Sequence, residues 1–137
     1  LGMPGAVAAC LRHPGRTVLC FLGDGGAMMT GNELATGIAR GAKPKIFISN
    51  NGSYGTIRLH QERDYPRRII ATDLANPDFA AWARAFGAEG LTLDKQEDAE
   101  AVIAEALACD KAVVVDVRSS LEAISAYTTI AKLRGDA

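Results

Sequence analysis

Three stretches of this chain are apolar almost without interruption: "TVLCFLGD" from Thr17, "PKIFISNN" from Pro44 and "KAVVVDVRS" from Lys111. A strand with one wet face alternates apolar and polar residues, whereas a continuously apolar run calls for cover on both faces. Helix-like patterns lie between the runs, and strands alternating with helices build a parallel sheet through right-handed crossovers. The sequence therefore predicts an α/β fold, a doubly wound parallel sheet with helices on both faces. The run at 17–24 is expected to be a central strand.

The connecting segments carry their own signals. Thr30 and Glu33 have the spacing of a capping box, and Gly41 with Pro44 marks the end of the helix that follows. "NPDFAAWARAFG" reads as a helix capped by Asn76, with Pro77 in its first turn and Phe79, Trp82, Ala83 and Phe86 along one stripe. "GLTLD" reads as a short strand. "KQEDAEAVIAEALACD" reads as a helix with Ala99, Val102, Ile103, Ala106 and Leu107 on one face. "NNGSYGTIRLHQERDYPRR" is expected to be a long loop or irregular helix, and 121–137 helical in part with a frayed end.

Bulk composition narrows the function classes. A length of 137 residues suits one domain with a real core. Fifteen basic and sixteen acidic residues leave a formal net charge of −1, which gives no global pull toward nucleic acid or an anionic membrane. Arg67 and Arg68 form the one compact basic cluster and read as a solvated turn without chemistry. Cys10, Cys20 and Cys109 lack CxxC spacing, which argues against a zinc site or a disulfide framework and fits a cytoplasmic protein with its cysteines in the core. Nothing approaches the roughly 20 apolar residues of a membrane span. The opening "LGMPGAVAAC" reads as the middle of a glycine-rich turn entering a helix at Pro4, so 1–137 is expected to be a single domain of a longer chain.

In doubly wound sheets ligands sit beyond the carboxyl ends of the strands. Asp24 and Asn51 stand at two such ends. Gly25 and Gly26 would let backbone N–H groups approach an anion, with a short helical turn adding its dipole. A carboxylate beside a phosphate needs a cation between them. Asp24, the Asn51 amide and a loop carbonyl offer only oxygen, a donor set that suits magnesium bridging a diphosphate. The plainer reading stays open: Asp24 caps the following turn and Asn51 closes an Asx turn. "GDGGAM" is not a dinucleotide fingerprint, and no GxxxxGK[ST] phosphate loop occurs.

"GDG" at 23–25, followed after 24 residues by "NN" at 50 and 51 and extended by "NNGSYG", resembles the diphosphate-binding motif of thiamine diphosphate enzymes. With "NPDFAAWARAFGA" and "AVVVDV", the likeness covers nearly the whole chain. It points to the acetolactate synthase-like or benzoylformate decarboxylase-like branch, and within it to the C-terminal, diphosphate-binding domain. The resemblance implies that Asp24, Asn51 and the Ser53 carbonyl hold magnesium. It also implies that Gly25, Gly26 and Ala27 offer backbone donors to the diphosphate while Tyr54 and Gly55 shape the loop over it.

The implied activity is that of a lyase or transferase decarboxylating or carboligating a 2-oxo acid, with the cofactor as electron sink. The glutamate that acts on the cofactor belongs, in that family, to a pyrimidine-binding domain on the same or a neighbouring subunit. The isolated domain is therefore expected to bind but not to catalyse, and the whole protein to be a homodimer or homotetramer. A non-catalytic phosphate-ligand module, or one subunit of a two-subunit decarboxylase, are the alternatives. "TIRLHQE" departs from the acetolactate synthase pattern of Gln and Trp, which leaves substrate, acceptor and flavin open. No catalytic residue is assigned. His60 reads as a surface histidine with proton donation as the alternative, His13 as a helix-end cation, and Met28 and Met29 as packing residues.

Overall fold

The structure, a computed structural model, describes residues 1–136. Four strands, β1 (Leu19–Gly23), β2 (Lys45–Asn50), β3 (Glu89–Leu93) and β4 (Val113–Arg118), form one sheet in the order β1-β2-β4-β3. Every pairing is parallel, with Phe47 registered on Phe21 and on Val115, and Leu91 on Val115. Seven α-helices accompany them: α1 (Gly2–Arg12), α2 (Asp24–Thr30), α3 (Glu33–Ala39), α4 (Gly55–Asp64), α5 (Phe79–Ala85), α6 (Ala99–Ala108) and α7 (Ile130–Arg134). The doubly wound parallel α/β architecture is the one the apolar runs predict.

The period-two geometry of strands sorts the core into two clusters. Ile46, Ile48 and Val114 face Met3 and Ala6 of α1, Leu34 of α3, and Phe79 and Ala83 of α5. Phe47, Val113 and Val115 face the opposite way, against Ala106 and Val102 of α6. The α5 stripe holds as read, since Phe79 and Ala83 are buried and Trp82 and Phe86 pack edge-on at the margin.

Several local expectations are corrected. β1 lies at the sheet edge, not in the middle, and Leu19 and Phe21 are 50% and 74% exposed on the α6 side. Among the described residues no helix covers that half of the face, and Phe21 lies stacked on Phe47 with ring centroids 5.2 Å apart. An apolar run reports what a strand can bury, not what stands beside it. The capping box does not form: Asn32 is the N-cap of α3, without a side-chain bond, and Thr30 Oγ1 is buried with no partner among the described residues. Asn76 does not cap α5. Asp78 does, its Oδ1 accepting from Ala81 N at 2.8 Å, and Pro77 stands ahead of the cap.

Within the segment 50–68, Gly55–Asp64 forms a ten-residue helix, α4, flanked by loop. Met28 and Met29 are 52% and 69% exposed, so they do not pack in the core. Of the three free cysteines only Cys20 is buried; Cys10 and Cys109 are half-buried. Ile103 and Leu107 on α6 are 40% and 47% exposed while Ala106 is fully buried. Gly41, at φ +74°, ends α3 as expected. Of the segment 121–137, α7 is the helical part, and residue 137 lies outside the described residues.

Candidate functional site

The carboxyl tips of β1 and β2 sit side by side because the strands are parallel and registered Gly23 on Ser49. Asp24 follows directly and opens α2, 3% exposed. Its Oδ1 accepts from Gly25 N at 2.8 Å, and its Oδ2 accepts from Gly52 N and from Asn76 Nδ2, each at 2.8 Å. A carboxylate offers about four lone-pair sites. Three donors leave capacity on Oδ1, and none of the three carries a charge.

The loop after β2 is built to turn toward that carboxylate. Gly52 adopts φ +69°, a backbone state that costs an L-residue with a side chain. The turn presents Gly52 N to Asp24, and Asn51 Oδ1 accepts from Ser53 N at 3.0 Å, an Asx turn. A second segment clamps the loop: Tyr54 N donates to Thr72 O, Leu74 N to Gly52 O, and Ser53 Oγ to Thr72 O, all at 2.8 Å. Ser53 and Asp73 form an isolated antiparallel bridge.

Between the two tips lies a cleft of about 230 Å³. Asp24, Gly25, Gly26, Ser53, Tyr54 and Gly55 line it together with Gly23, Thr56 and Ile57. Of the residues expected at a site, two are absent from the lining. Ala27 is 2% exposed and packs in the core, and Asn51, half-buried, opens the loop directly after β2 without lining the cleft. Gly25 is needed sterically, because a Cβ there would lie 2.6 Å from Tyr54 Cε1. His60 is exposed on α4 and does not line the cleft.

Three further residues, none given a role at the site by the sequence, connect to Asp24. Asn76 bridges Asp24 and Asn50, its Nδ2 donating to Asn50 Oδ1 at 2.9 Å as well as to Asp24. Asn50 in turn donates to Asp116 Oδ1 at 2.8 Å. Asp116 is fully buried in β4, with Arg118 Nη2 2.8 Å from its other oxygen. Asn50 belongs to the quoted asparagine pair, but no local signal marks Asn76 or Asp116 as partners across 26 and 66 positions.

A different polar hub holds α4. Glu62 is fully buried and accepts from Arg134 Nη2 at 2.6 Å, Arg134 Nε at 2.9 Å, Arg58 Nε at 3.1 Å and Arg67 N at 3.1 Å. The Arg134 guanidinium, joined by the Arg67 amide and Arg58, holds its carboxyl down at about 2. Arg58 also reaches Asp73 at 3.2 Å, which ties α4 to the clamp over the loop. The Arg67–Arg68 turn is exposed as expected, yet Arg67, at φ +62°, contributes its backbone to this hub.

A larger cavity of about 550 Å³ opens at the other end of the strands, among Cys10, Arg16, Arg40, Lys43, Lys45 and Cys109. Its buried Lys45 ammonium is already held by Cys109 O and Lys111 O, at 2.5 and 2.7 Å. The carboxyl ends of α1, α3 and α6 border it, where basic residues complement the helix dipoles, and Lys43 also pairs with Asp110 at 2.6 Å.

Fold and cleft thus define a doubly wound domain with an open cleft at the tips of two adjacent parallel strands, where a single carboxylate lies beside glycine backbone. The model of the thiamine pyrophosphate enzyme C-terminal TPP binding domain matches residues 1–117, and the chain belongs to that family. It is 38% identical over 118 residues to an acetolactate synthase large subunit from Parasynechococcus marenigrum, covering 85% of this chain and 19% of that protein. Against an acetolactate synthase from Mycobacterium bovis the identity is 39% over 120 residues, 83% of this chain and 19% of the relative. A mitochondrial acetolactate synthase catalytic subunit from Saccharomyces cerevisiae is 34% identical over 116 residues, 85% of this chain and 17% of the relative. The chain spans about a fifth of the length of these relatives. No helix among the described residues is long and apolar enough to cross a membrane.

Proposed function

We propose that this domain holds the magnesium-diphosphate end of thiamine diphosphate in an acetolactate synthase-like enzyme that decarboxylates or carboligates a 2-oxo acid. The observation that carries the reading is the Asp24 carboxylate, buried at the cleft and bonded by neutral donors only. Such a group has charge to give to a cation. Among the described residues no cluster of three His, Cys, Asp or Glu offers a rival metal site.

The remaining donors suit a hard ion. The Asn51 amide oxygen and the Ser53 carbonyl each accept one backbone N–H, from Ser53 and Gly55, and an sp² oxygen has a second lone pair. One carboxylate, one amide and one carbonyl, with phosphate oxygens completing the shell, match the preference of magnesium for near-octahedral oxygen. Gly25 and Gly26 border the same cleft, where backbone can approach an anion closely, and Tyr54 and Gly55 wall its far side.

The bound cofactor supplies an electron sink for the 2-oxo acid. The residues of this chain bind and orient it. Proton transfer and substrate selection are assigned to a pyrimidine-binding domain on the same or a neighbouring subunit, and the whole protein is taken to work as a homodimer or homotetramer. Isothermal calorimetry of the full-length protein tests the site. Thiamine diphosphate should bind only with magnesium present, and Asp24→Ala should weaken that binding by about a hundredfold, roughly 2.7 kcal/mol. Unchanged binding by the variant would remove Asp24 from the site.

A further inference from the structure

We propose that Asn76 is a positioning residue for Asp24, fixed by a buried relay that begins at Asp116. The inference rests on the reading of Asp24 as a magnesium ligand and names a residue through which that ligand is aimed.

Donor and acceptor counting fixes every amide in the relay. Asp116, fully buried, is an acceptor, so Asn50 must turn its NH₂ toward it and its Oδ1 away. That Oδ1 then requires a donor, and Asn76 Nδ2 supplies it at 2.9 Å. The second proton on Asn76 Nδ2 goes to Asp24 Oδ2 at 2.8 Å. Flipping Asn76 would set its carbonyl against two acceptor oxygens, so only one orientation is allowed.

Three features make this more than a packing contact. Asn76 is 52 residues from Asp24 in sequence and meets it only through the fold. Its Oδ1 is buried with no partner among the described residues, a cost usually avoided, so its orientation is set by the two donated bonds alone. Both Asn76 and Gly52 bind the same oxygen, Oδ2, while Oδ1 keeps its spare lone pair. The carboxylate is thereby pinned by one oxygen and left able to coordinate by the other. Asn50 and Asp116 stand on β2 and β4, the two interior strands of the sheet, so the aim is referenced to strands paired on both sides.

Groups that orient metal ligands from behind typically influence metal affinity by about 10- to 100-fold. Asn76→Leu keeps the branched shape and heavy-atom count of the side chain and removes both donors. In the full-length protein, calorimetric titration should show the magnesium half-saturation for thiamine diphosphate binding rise about tenfold. Cofactor affinity at saturating magnesium should stay within about threefold of the parent, because the diphosphate-facing backbone is untouched. A merely structural role would lower both together, and that result overturns the proposal, as does an unchanged magnesium requirement.

Should Asn76→Leu fail to fold, Asn76→Ser carries the same expectation with a smaller shift. Asp24→Ala, run beside them, separates the two levels. If it abolishes magnesium dependence while the Asn76 variants do not alter it, the positioning role fails and the site reading stands. If Asp24→Ala leaves magnesium dependence intact, the site reading fails first.

Discussion

Asp24 and Glu62 are both carboxylates withdrawn from water, at 3% and 0% exposure, yet they are held in opposite ways. Backbone N–H groups and one amide surround Asp24, all neutral. Two guanidinium groups surround Glu62, and its lone pairs are filled by Arg134, Arg58 and Arg67 N. On the proposed reading, the contrast separates a buried acid that anchors a helix from one that holds a cation. A carboxylate whose charge is matched inside the protein has nothing left to offer, whereas one bonded by neutral donors keeps its charge for a ligand.

The largest effect should come from breaking the matched pair. Glu62→Ala leaves Arg58 and Arg134 facing a buried void, and chemical denaturation should show a loss of about 3–5 kcal/mol. Magnesium-dependent cofactor binding, measured where the variant is still folded, should change little. Asp24→Ala should give the reverse order of effects. If both variants lose binding and stability together, the division between anchor and site is wrong.

Acid should attack the anchor next. The Glu62 carboxyl falls from its ordinary 4.5 to about 2 in the folded chain, chiefly through Arg134. A depressed pKa stabilises the fold fully above about 4.5 and loses that contribution as pH falls to about 2, on the order of 3 kcal/mol in all. Denaturation of parent and Glu62→Gln at pH 6 and at pH 3 should therefore give a difference that shrinks on acidification. A constant difference would contradict the ion-pair account.

A steric change sharpens the site half of the comparison. Gly25→Ala places a methyl group 2.6 Å from the Tyr54 ring, which must move, and overpacking of this sort costs about 1–3 kcal/mol. Cofactor affinity should fall with it, read in the same titration. The smallest effect belongs to Arg67→Ala. Its exposed pair with Asp136 contributes under about 1 kcal/mol, and its backbone bond to Glu62 survives the change, so the thermal midpoint should barely move.

How far the sequence reaches can be judged residue by residue. The strands and their parallel sense follow from apolar runs, since Val113, Val114 and Val115 are all fully buried. Strand order does not follow, because β4 enters between β2 and β3 through pairings far apart in the chain. In "NPD" two residues compete for the cap, and the local preference for proline just inside a helix favours Asn76. Asp78 takes that role through Ala81, which frees Asn76 to reach back to Asp24. The Asp24 and Asn51 tips were legible as a motif. Glu62 was not, because its main partner lies 72 residues away.

The open side of β1 has a consequence for how the molecule breathes. Val18 O turns inward to accept from Lys45 N at 2.9 Å, so by strand alternation the amides of Leu19, Phe21 and Gly23 point away from the sheet. Deuterium uptake along β1 should then read like a comb, with every second amide quick and its neighbours slow. The comb would fill wherever another strand came to lie alongside, which makes five residues a built-in reporter of the company this domain keeps.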